Sequence, residues 1–398
     1  MSNVPADLVE RVRRRLAADA TAPTAGHVAE ALRAEDRVFG HDTVLAVVDE
    51  VRRDTAGAGP LDPLLRLPDV TDVLVNGAHA VHVDRGSGLE PSDVTFPDEA
   101  SVRRLAQRLA TLAGRRLDDA SPWVDARLPD GTRLHAVLAP VARPGTVICL
   151  RVPPRRSFTL AELVDLGATD AVGASALSAL VASRRAFLVS GGTGTGKTTL
   201  LAALLAEVPE RERLVVVEDA TELRPRHPHV VGLEARPANV EGRGLVTLRD
   251  LVRQALRMRP DRLVVGEVRG AEVVDLLAAL NTGHEGGCGT VHANSAADVP
   301  ARFEALGLAA GLPRAAVHSQ LVAGVDVVVH LRRDRAGRRR IDHLGVLEAG
   351  PDGLALCRPA LLLADGPRPG PAYPRLCGLL GDVLGGPLSG LAAPGGSS

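Results

Sequence analysis

The chain holds a single lysine, Lys197, and the residues around it form a pattern that binds phosphate. Gly191, Gly196, Lys197 and Thr198 meet the pattern G-x-x-x-x-G-K-[ST] in full. Glycines let the backbone curl so that successive N–H groups point at phosphate oxygens, and the next helix directs its positive end at the same anion. The lysine would reach the β- and γ-phosphates, and the threonine hydroxyl would ligate Mg²⁺. The predicted phosphate-binding residues are Gly191, Gly192, Thr193, Gly194, Thr195, Gly196, Lys197, Thr198 and Thr199.

The segments on either side of this loop support the assignment. Residues 186–190 are a short apolar run typical of a buried strand, and residues 198–207 are rich in helix formers. Strand, loop and helix in this order are the context in which the pattern binds a nucleotide. The sequence therefore predicts a nucleoside triphosphate site with Mg²⁺.

Carboxylates follow two other apolar runs. Residues 214–217 lead into Glu218 and Asp219, with Glu222 close behind, and residues 263–265 lead to Glu267. Ligands of open α/β sheets bind at the carboxyl ends of the strands, so both acidic groups are expected to face the nucleotide. There a carboxylate holds Mg²⁺ or polarises the attacking water. The alternative for either group alone is a solvated acid at a strand end.

A third stretch, residues 282–295, combines two histidines with glycines and polar side chains, a composition unusual for a core segment. A zinc site is one interpretation, but His284 and His292 are eight residues apart, and no third ligand follows at a spacing typical of zinc sites. A polar loop that senses the γ-phosphate fits better, with His292 as a donor to a phosphate or a carboxylate.

Composition limits the remaining possibilities. The net charge is −1, which argues against nucleic-acid binding driven by a general basic field. An arginine run at residues 332–340 lies between two apolar strands and predicts a charged hairpin rather than a nucleic-acid patch. The four cysteines are widely spaced, no apolar run reaches membrane-spanning length, and the first residues lack a signal core. A soluble, intracellular protein is expected.

Composition and periodicity also predict the organisation of the chain. An α+β region precedes a region in which apolar strands alternate with helices, the pattern of an α/β fold with a mostly parallel sheet. The predicted parts are a helical appendage (1–56), an α+β domain (57–152), an interdomain linker (153–168), an α/β nucleotide-binding domain (169–350) and a Gly/Pro-rich, largely disordered tail (351–398).

Taken together, these motifs resemble those of the traffic ATPases of type II and type IV secretion and type IV pilus assembly. The resemblance covers about residues 57–347 and is nearest to the tight-adherence (Tad/Flp) pilus branch. It rests on GAGPLDPLL, VTDVLVNG and VDARLPDGTRLHAVL, and then on GGTGTGKTT, VVVEDATEL, LRMRPDRLVVGEVRG and TGHEGGCGTVHANS. No tetracysteine zinc insertion of the kind found in some type II relatives is present.

The resemblance implies an ATP-hydrolysing homo-hexamer with a RecA-like P-loop core domain, preceded by a smaller PAS-like α+β domain. ATP and Mg²⁺ would be its ligands, and inner-membrane platform proteins its partners. The expected location is cytoplasmic, peripheral at the inner face of the cytoplasmic membrane, with no direct nucleic-acid partner.

The resemblance also assigns roles to individual residues. Glu267 would polarise water, Glu218 and Glu222 would support the metal or the water, and His292 is the histidine-box residue. Thr198 and Glu218 would serve the Mg²⁺ ion. In the N-terminal domain, Arg133 and Arg151 match arginines that reach the phosphates, although such arginines equally suit interface ion pairs. Weaker matches are Arg127, Arg257 and Arg259.

The leading hypothesis is a motor that hydrolyses ATP to power pilus assembly or protein secretion across the inner membrane. One alternative is a conjugative or DNA-translocating relative, which the near-neutral charge disfavours. The other is a nucleotide-gated scaffold that binds ATP and hydrolyses little.

Overall fold

A computed structural model describes residues 57–381 except 87, 154–155, 239–241, 284 and 335, and before them residues 8, 11–12, 14–16, 25–34, 44–48 and 51. The chain divides into two compact units, Met1–Pro154 and Arg155–Ser398, and each is described by itself.

The first unit begins with helical residues that form a small apolar core. Helix α1 spans Ala25–Arg33, and its Val28 and Leu32 are buried with Leu8 and Val47. This part of the chain lies in the segment predicted as a helical appendage.

An antiparallel sheet forms the main part of the first unit. Its strands are β1 (Asp72–Asn76), β2 (Val81–Asp84), β3 (Leu89–Pro91), β4 (Trp123–Arg127), β5 (Arg133–Val137) and β6 (Val147–Arg151), in the order β3-β2-β1-β6-β5-β4. The pairs β1–β2 and β4–β5 are hairpins whose turns contain Gly77 and Gly131, and both glycines adopt a positive φ. Apolar residues alternate along β1 and β6 to face α3 (Glu99–Leu112), while α2 (Asp62–Leu65) precedes the sheet.

The second unit is a nine-stranded sheet in the order β15-β14-β13-β12-β7-β11-β10-β8-β9. Its strands are β7 (Phe187–Gly191), β8 (Leu214–Glu218), β9 (Val230–Glu234), β10 (Arg262–Val265), β11 (Cys288–His292), β12 (Val327–Arg333), β13 (Arg339–Ala349), β14 (Ala355–Leu362) and β15 (Arg368–Pro369). The strands from β12 to β9 pair in parallel, and β13, β14 and β15 extend the sheet antiparallel. The prediction of a mostly parallel α/β sheet is confirmed.

Helices cover both faces of this sheet, because its central strands are buried on both sides. Phe187 and Val189 of β7 belong to one apolar core and Leu188, between them, to the other. The first core contains α4 (Leu160–Asp165), α5 (Ala171–Ala182), α6 (Lys197–Ala206) and α11 (Tyr373–Leu380). The second contains α7 (Leu248–Ala255), α8 (Glu272–Leu280), α9 (Val299–Ala309) and α10 (Arg314–Gly324).

Two sequence-based predictions are wrong at the ends of this unit. The tail predicted as largely disordered contains β14, β15 and α11 up to residue 380, and only residues 382–398 lie outside the described part of the chain. Tyr373, Leu376 and Leu380 form one helical face that is buried in the first core, which the Gly/Pro-rich composition obscured. The predicted linker 153–168 likewise contains α4, whose Leu160 and Leu163 are buried.

No helix in the described part of the chain has the length and apolar content needed to cross a membrane.

Candidate nucleotide site

The phosphate loop joins the central strand β7 to α6. Gly196 is the N-cap of α6 and has φ 98°. It has no side chain that could accept hydrogen bonds from the first N–H groups of the helix, so these groups point toward the loop and can bind an anion. Gly191 has φ 151°, and a Cβ there would lie 2.6 Å from the Leu331 carbonyl oxygen, so only glycine fits. An uncapped helix start behind a glycine loop is a cradle for phosphate. The residues present therefore fit the polyphosphate of ATP.

Lys197 is buried within this loop, with 7% of its surface exposed. Its Nζ donates to the carbonyl oxygens of Gly191 at 3.0 Å and Gly192 at 2.9 Å. Burial lowers the pKa of the ammonium, and the Glu267 carboxylate opposes that effect. The carbonyls therefore hold the ammonium at the mouth of the loop, where a phosphate oxygen would meet it.

Glu267 and His292 complete a chain of contacts with this ammonium. The His292 Nε2 lies 3.2 Å from Lys197 Nζ and 3.0 Å from Glu267 Oε1. Burial, followed by the charge of Lys197, lowers the pKa of His292, so the ring is neutral at pH 7. The other carboxylate oxygen of Glu267 accepts a hydrogen bond from Arg269. Glu267 is thus held from both sides, with its side chain 18% exposed.

The acidic group of Glu218 and Glu222 lies beside the start of α6. Thr198 Oγ1 is 3.5 Å from Glu222 Oε2, at the limit of a hydrogen bond. Glu218 is buried, and its Oε1 accepts the backbone N–H groups of Glu222 at 3.1 Å and Leu223 at 3.0 Å. Burial raises the pKa of Glu218 to about 7. Glu218 therefore stabilises the turn that places Glu222 beside Thr198.

No cluster of three or more His, Cys, Asp or Glu suited to a metal ion occurs in the described part of the chain. His284, the partner in the zinc interpretation, lies outside the described residues. Mg²⁺ bound with a nucleotide takes one or two protein oxygens and completes its shell with phosphates and water. The Thr198 hydroxyl, with Glu222 beside it, fits that requirement.

Strand register explains why residues far apart in sequence meet here. Gly191 of β7 lies opposite His292 of β11 on one side and Leu331 of β12 on the other. Glu218 ends β8, and Glu267 follows β10 two strands from β7. All of these strands run in parallel, so their carboxyl ends meet at one edge of the sheet, as the strand-end argument predicts.

Arg133 and Arg151 lie side by side in the first unit. They are direct partners across β5 and β6, and Arg127 of β4 stands opposite Arg133 in the same row. Arg133 pairs with Asp125 at 2.7 Å and Arg151 with Asp72 at 3.1 Å, and both guanidinium groups remain exposed. The structure brings the two arginines together, each with a carboxylate partner within its own unit.

Sequence reasoning missed three arginines next to the nucleotide loop. Arg269 contacts Glu267, and its position two residues further along the same motif was a usable signal. Arg333 and Arg339 contact the Gly194 carbonyl from the β12–β13 hairpin. That hairpin is confirmed, but no local pattern indicated which surface it covers.

Comparison with known proteins identifies similarity to secretion and conjugal transfer proteins. A family model described as "Type II/IV secretion system protein" matches residues 54–357. A putative conjugal transfer protein of Mycobacterium tuberculosis is 60% identical over 316 residues, covering 78% of this chain and 90% of the relative. Type IV secretion system protein PtlH of Bordetella pertussis is 34% identical over 312 residues, covering 71% of this chain and 91% of PtlH.

Among solved structures, the Yersinia pseudotuberculosis ATPase DotB superposes with a TM-score of 0.53 at 18% identity, covering 79% of this chain and 81% of DotB. At that level of identity the similarity shows a shared fold.

Proposed function

This chain belongs to the type II/IV secretion system protein family, and we propose that it hydrolyses ATP as a homo-hexamer to power Tad/Flp pilus assembly or protein secretion across the inner membrane. The observation that carries the proposal is the contact chain Lys197–His292–Glu267 at the carboxyl edge of the sheet. A nucleotide-binding scaffold requires the loop and the lysine, but it does not require a carboxylate held in place beside them.

The proposed chemistry follows from the positions of these side chains. The α6 N–H groups and the Lys197 ammonium bind the phosphate oxygens and neutralise their charge. Glu267 orients the attacking water and accepts its proton, and the neutral His292 ring keeps the carboxylate aligned. Bound Mg²⁺ would supply further charge neutralisation, with the Thr198 hydroxyl as a ligand and the Glu218–Glu222 turn behind it.

We further propose that Arg133 and Arg151 contribute guanidinium contacts to the nucleotide phosphates. Arginine suits this role because its planar fork holds phosphate at two points. The carboxylates of Asp125 and Asp72 hold the two groups in position within the first unit. If they serve as interface ion pairs instead, Arg133→Ala and Arg151→Ala would reduce hexamer formation and leave the nucleotide affinity of each subunit unchanged.

The central test is phosphate release by the purified full-length chain with Mg-ATP, compared with Glu267→Gln. Loss of a general base costs roughly 10²- to 10⁴-fold in rate, so the variant should bind ATP normally and release phosphate at background level. A wild-type rate no higher than that of the variant would refute the motor and favour the scaffold. Native mass spectrometry with Mg-ATP tests the hexamer.

A role in conjugal DNA transfer is the second candidate, favoured by the name of the 60% identical Mycobacterium tuberculosis relative. The net charge of −1 argues against direct DNA binding. Fluorescence anisotropy with duplex and single-stranded DNA over a series of salt concentrations separates the two candidates, because contacts to DNA phosphates weaken steeply as salt rises. Salt-dependent binding would favour conjugation. Co-purification with inner-membrane platform proteins would favour pilus assembly or secretion.

A further inference from the structure

Three arginines among the described residues of the β12–β13 hairpin pair with a carboxylate. Arg332 pairs with Asp342, and Arg338 and Arg340 both pair with Asp334. Such ion pairs on an exposed hairpin stabilise its turn and contribute little to the stability of the rest of the protein. They account for these three arginines without any role in nucleotide binding.

Two further arginines of the hairpin contact the phosphate loop. Arg333 and Arg339 are direct partners across the two strands, and like charges in that position repel. Both point at one backbone oxygen of the phosphate loop. Arg333 donates to the Gly194 carbonyl through Nε at 3.2 Å and Nη2 at 3.0 Å, and Arg339 donates through Nε at 3.1 Å. A single neutral oxygen thus receives hydrogen bonds from two cations.

The same two side chains also lie against two glycines of the loop. A Cβ added at Gly194 would lie 3.1 Å from Arg333 Nη2, and one added at Gly196 would lie 3.5 Å from Arg339 Cδ. Both glycines adopt positive φ, 70° and 98°. The hairpin therefore contacts two glycines of the phosphate loop, at positions where the backbone conformation favours glycine.

We propose that Arg333 and Arg339 are positioning residues that raise the affinity of the loop for the polyphosphate of a nucleoside di- or triphosphate. Hydrogen bonds to the Gly194 carbonyl polarise that peptide group, which makes the N–H of Thr195 a stronger donor to phosphate. The two positive charges beside the loop add a favourable field for the anion. This proposal rests on the nucleotide binding of the proposed function and adds a residue pair that acts through the Gly194 carbonyl.

The effect falls on affinity because the arginines support the loop in the same way for ADP and ATP. In the full-length double variant Arg333→Ala/Arg339→Ala, the Kd for Mg-ADP and the KM for Mg-ATP should rise about tenfold, with kcat within about twofold of wild type. Arg338→Ala is the matched control, since Arg338 occupies the same hairpin and pairs with Asp334. Its Kd and KM should stay within about twofold of wild type.

The double variant Arg333→Lys/Arg339→Lys should recover much of the affinity at low salt, and raising the ionic strength should remove that recovery. Unchanged Kd in the alanine double variant would overturn the inference while leaving the ATPase proposal intact. A combined fall of Tm, affinity and kcat would assign the pair a structural role and would overturn the inference too. Failure of the wild-type chain to bind nucleotide would refute both proposals.

Discussion

Lys197→Arg keeps the positive charge of the phosphate loop and is nevertheless expected to abolish ATP hydrolysis. Lys197 is 7% exposed, and its ammonium lies between two carbonyl oxygens at 2.9 and 3.0 Å and an imidazole nitrogen at 3.2 Å. A guanidinium is a wider, planar group. Placing it between these three acceptor atoms would displace the loop or turn the N–H groups of the guanidinium away from the phosphates.

The size of the effect follows from these contacts. Loss of one preorganised donor to transition-state charge costs about 3–4 kcal/mol, which is a rate loss of roughly 10²- to 10³-fold. Overpacking of the buried position adds about 1–3 kcal/mol of destabilisation, which a fall in Tm would report.

The assay is steady-state phosphate release with saturating Mg-ATP, with Lys197→Ala as the reference for complete loss of the ammonium. We expect Lys197→Arg to fall close to the alanine variant. Far-ultraviolet circular dichroism would establish that both variants are folded. A rate for Lys197→Arg within about threefold of wild type would refute the reasoning, because charge alone would then be sufficient.

Three further outcomes are expected. Gly191→Ala should abolish nucleotide binding because its Cβ would lie 2.6 Å from the Leu331 carbonyl oxygen, whereas Gly192→Ala, whose Cβ meets only Thr195 Cγ2 at 3.8 Å, should bind normally; equal Mg-ADP affinities would contradict this. Glu218, with its pKa raised to about 7, adds stability that is complete below its unfolded pKa near 4.5 and is lost as pH rises through 7. Glu218→Gln should therefore gain about 1–3 kcal/mol relative to wild type between pH 5 and 8 in EDTA without nucleotide, and a pH-independent difference would rule this out. Leu376→Ala, in the buried face of α11, should lower the free energy of unfolding by about 2–5 kcal/mol, and an unchanged denaturation midpoint would show that α11 does not stabilise the core.

Much of the site could be predicted because its parts are local patterns. A glycine loop between an apolar strand and a helix determines its own conformation, and carboxylates that follow parallel strands must lie at one edge of the sheet. Lys197, Glu267 and His292 come together for that reason. The hairpin around residues 332–340 was predicted in the same way, from an arginine run between two apolar strands.

The parts that were not predicted depend on tertiary packing. The Gly/Pro-rich composition after residue 351 indicated disorder, yet Leu376 and Leu380 fill a space on the sheet that no local pattern reveals. The contact of Arg333 with Gly194 joins residues 139 positions apart. Likewise, the burial of Glu218 and its hydrogen bonds from the backbone of Glu222 and Leu223 depend on the turn around it, which the sequence did not indicate. Its role beside Mg²⁺ stays a prediction.

The carboxylate partners of Arg133 and Arg151 have a consequence for the phosphate contacts that we propose for these arginines. Each guanidinium is already paired with Asp125 or Asp72, so its charge is partly offset before a phosphate arrives. The proposed contact with a phosphate would therefore be weaker than that of an arginine without a carboxylate beside it. A weak contact would permit release of the product phosphate, and the carboxylates would keep each arginine in place for the next turnover.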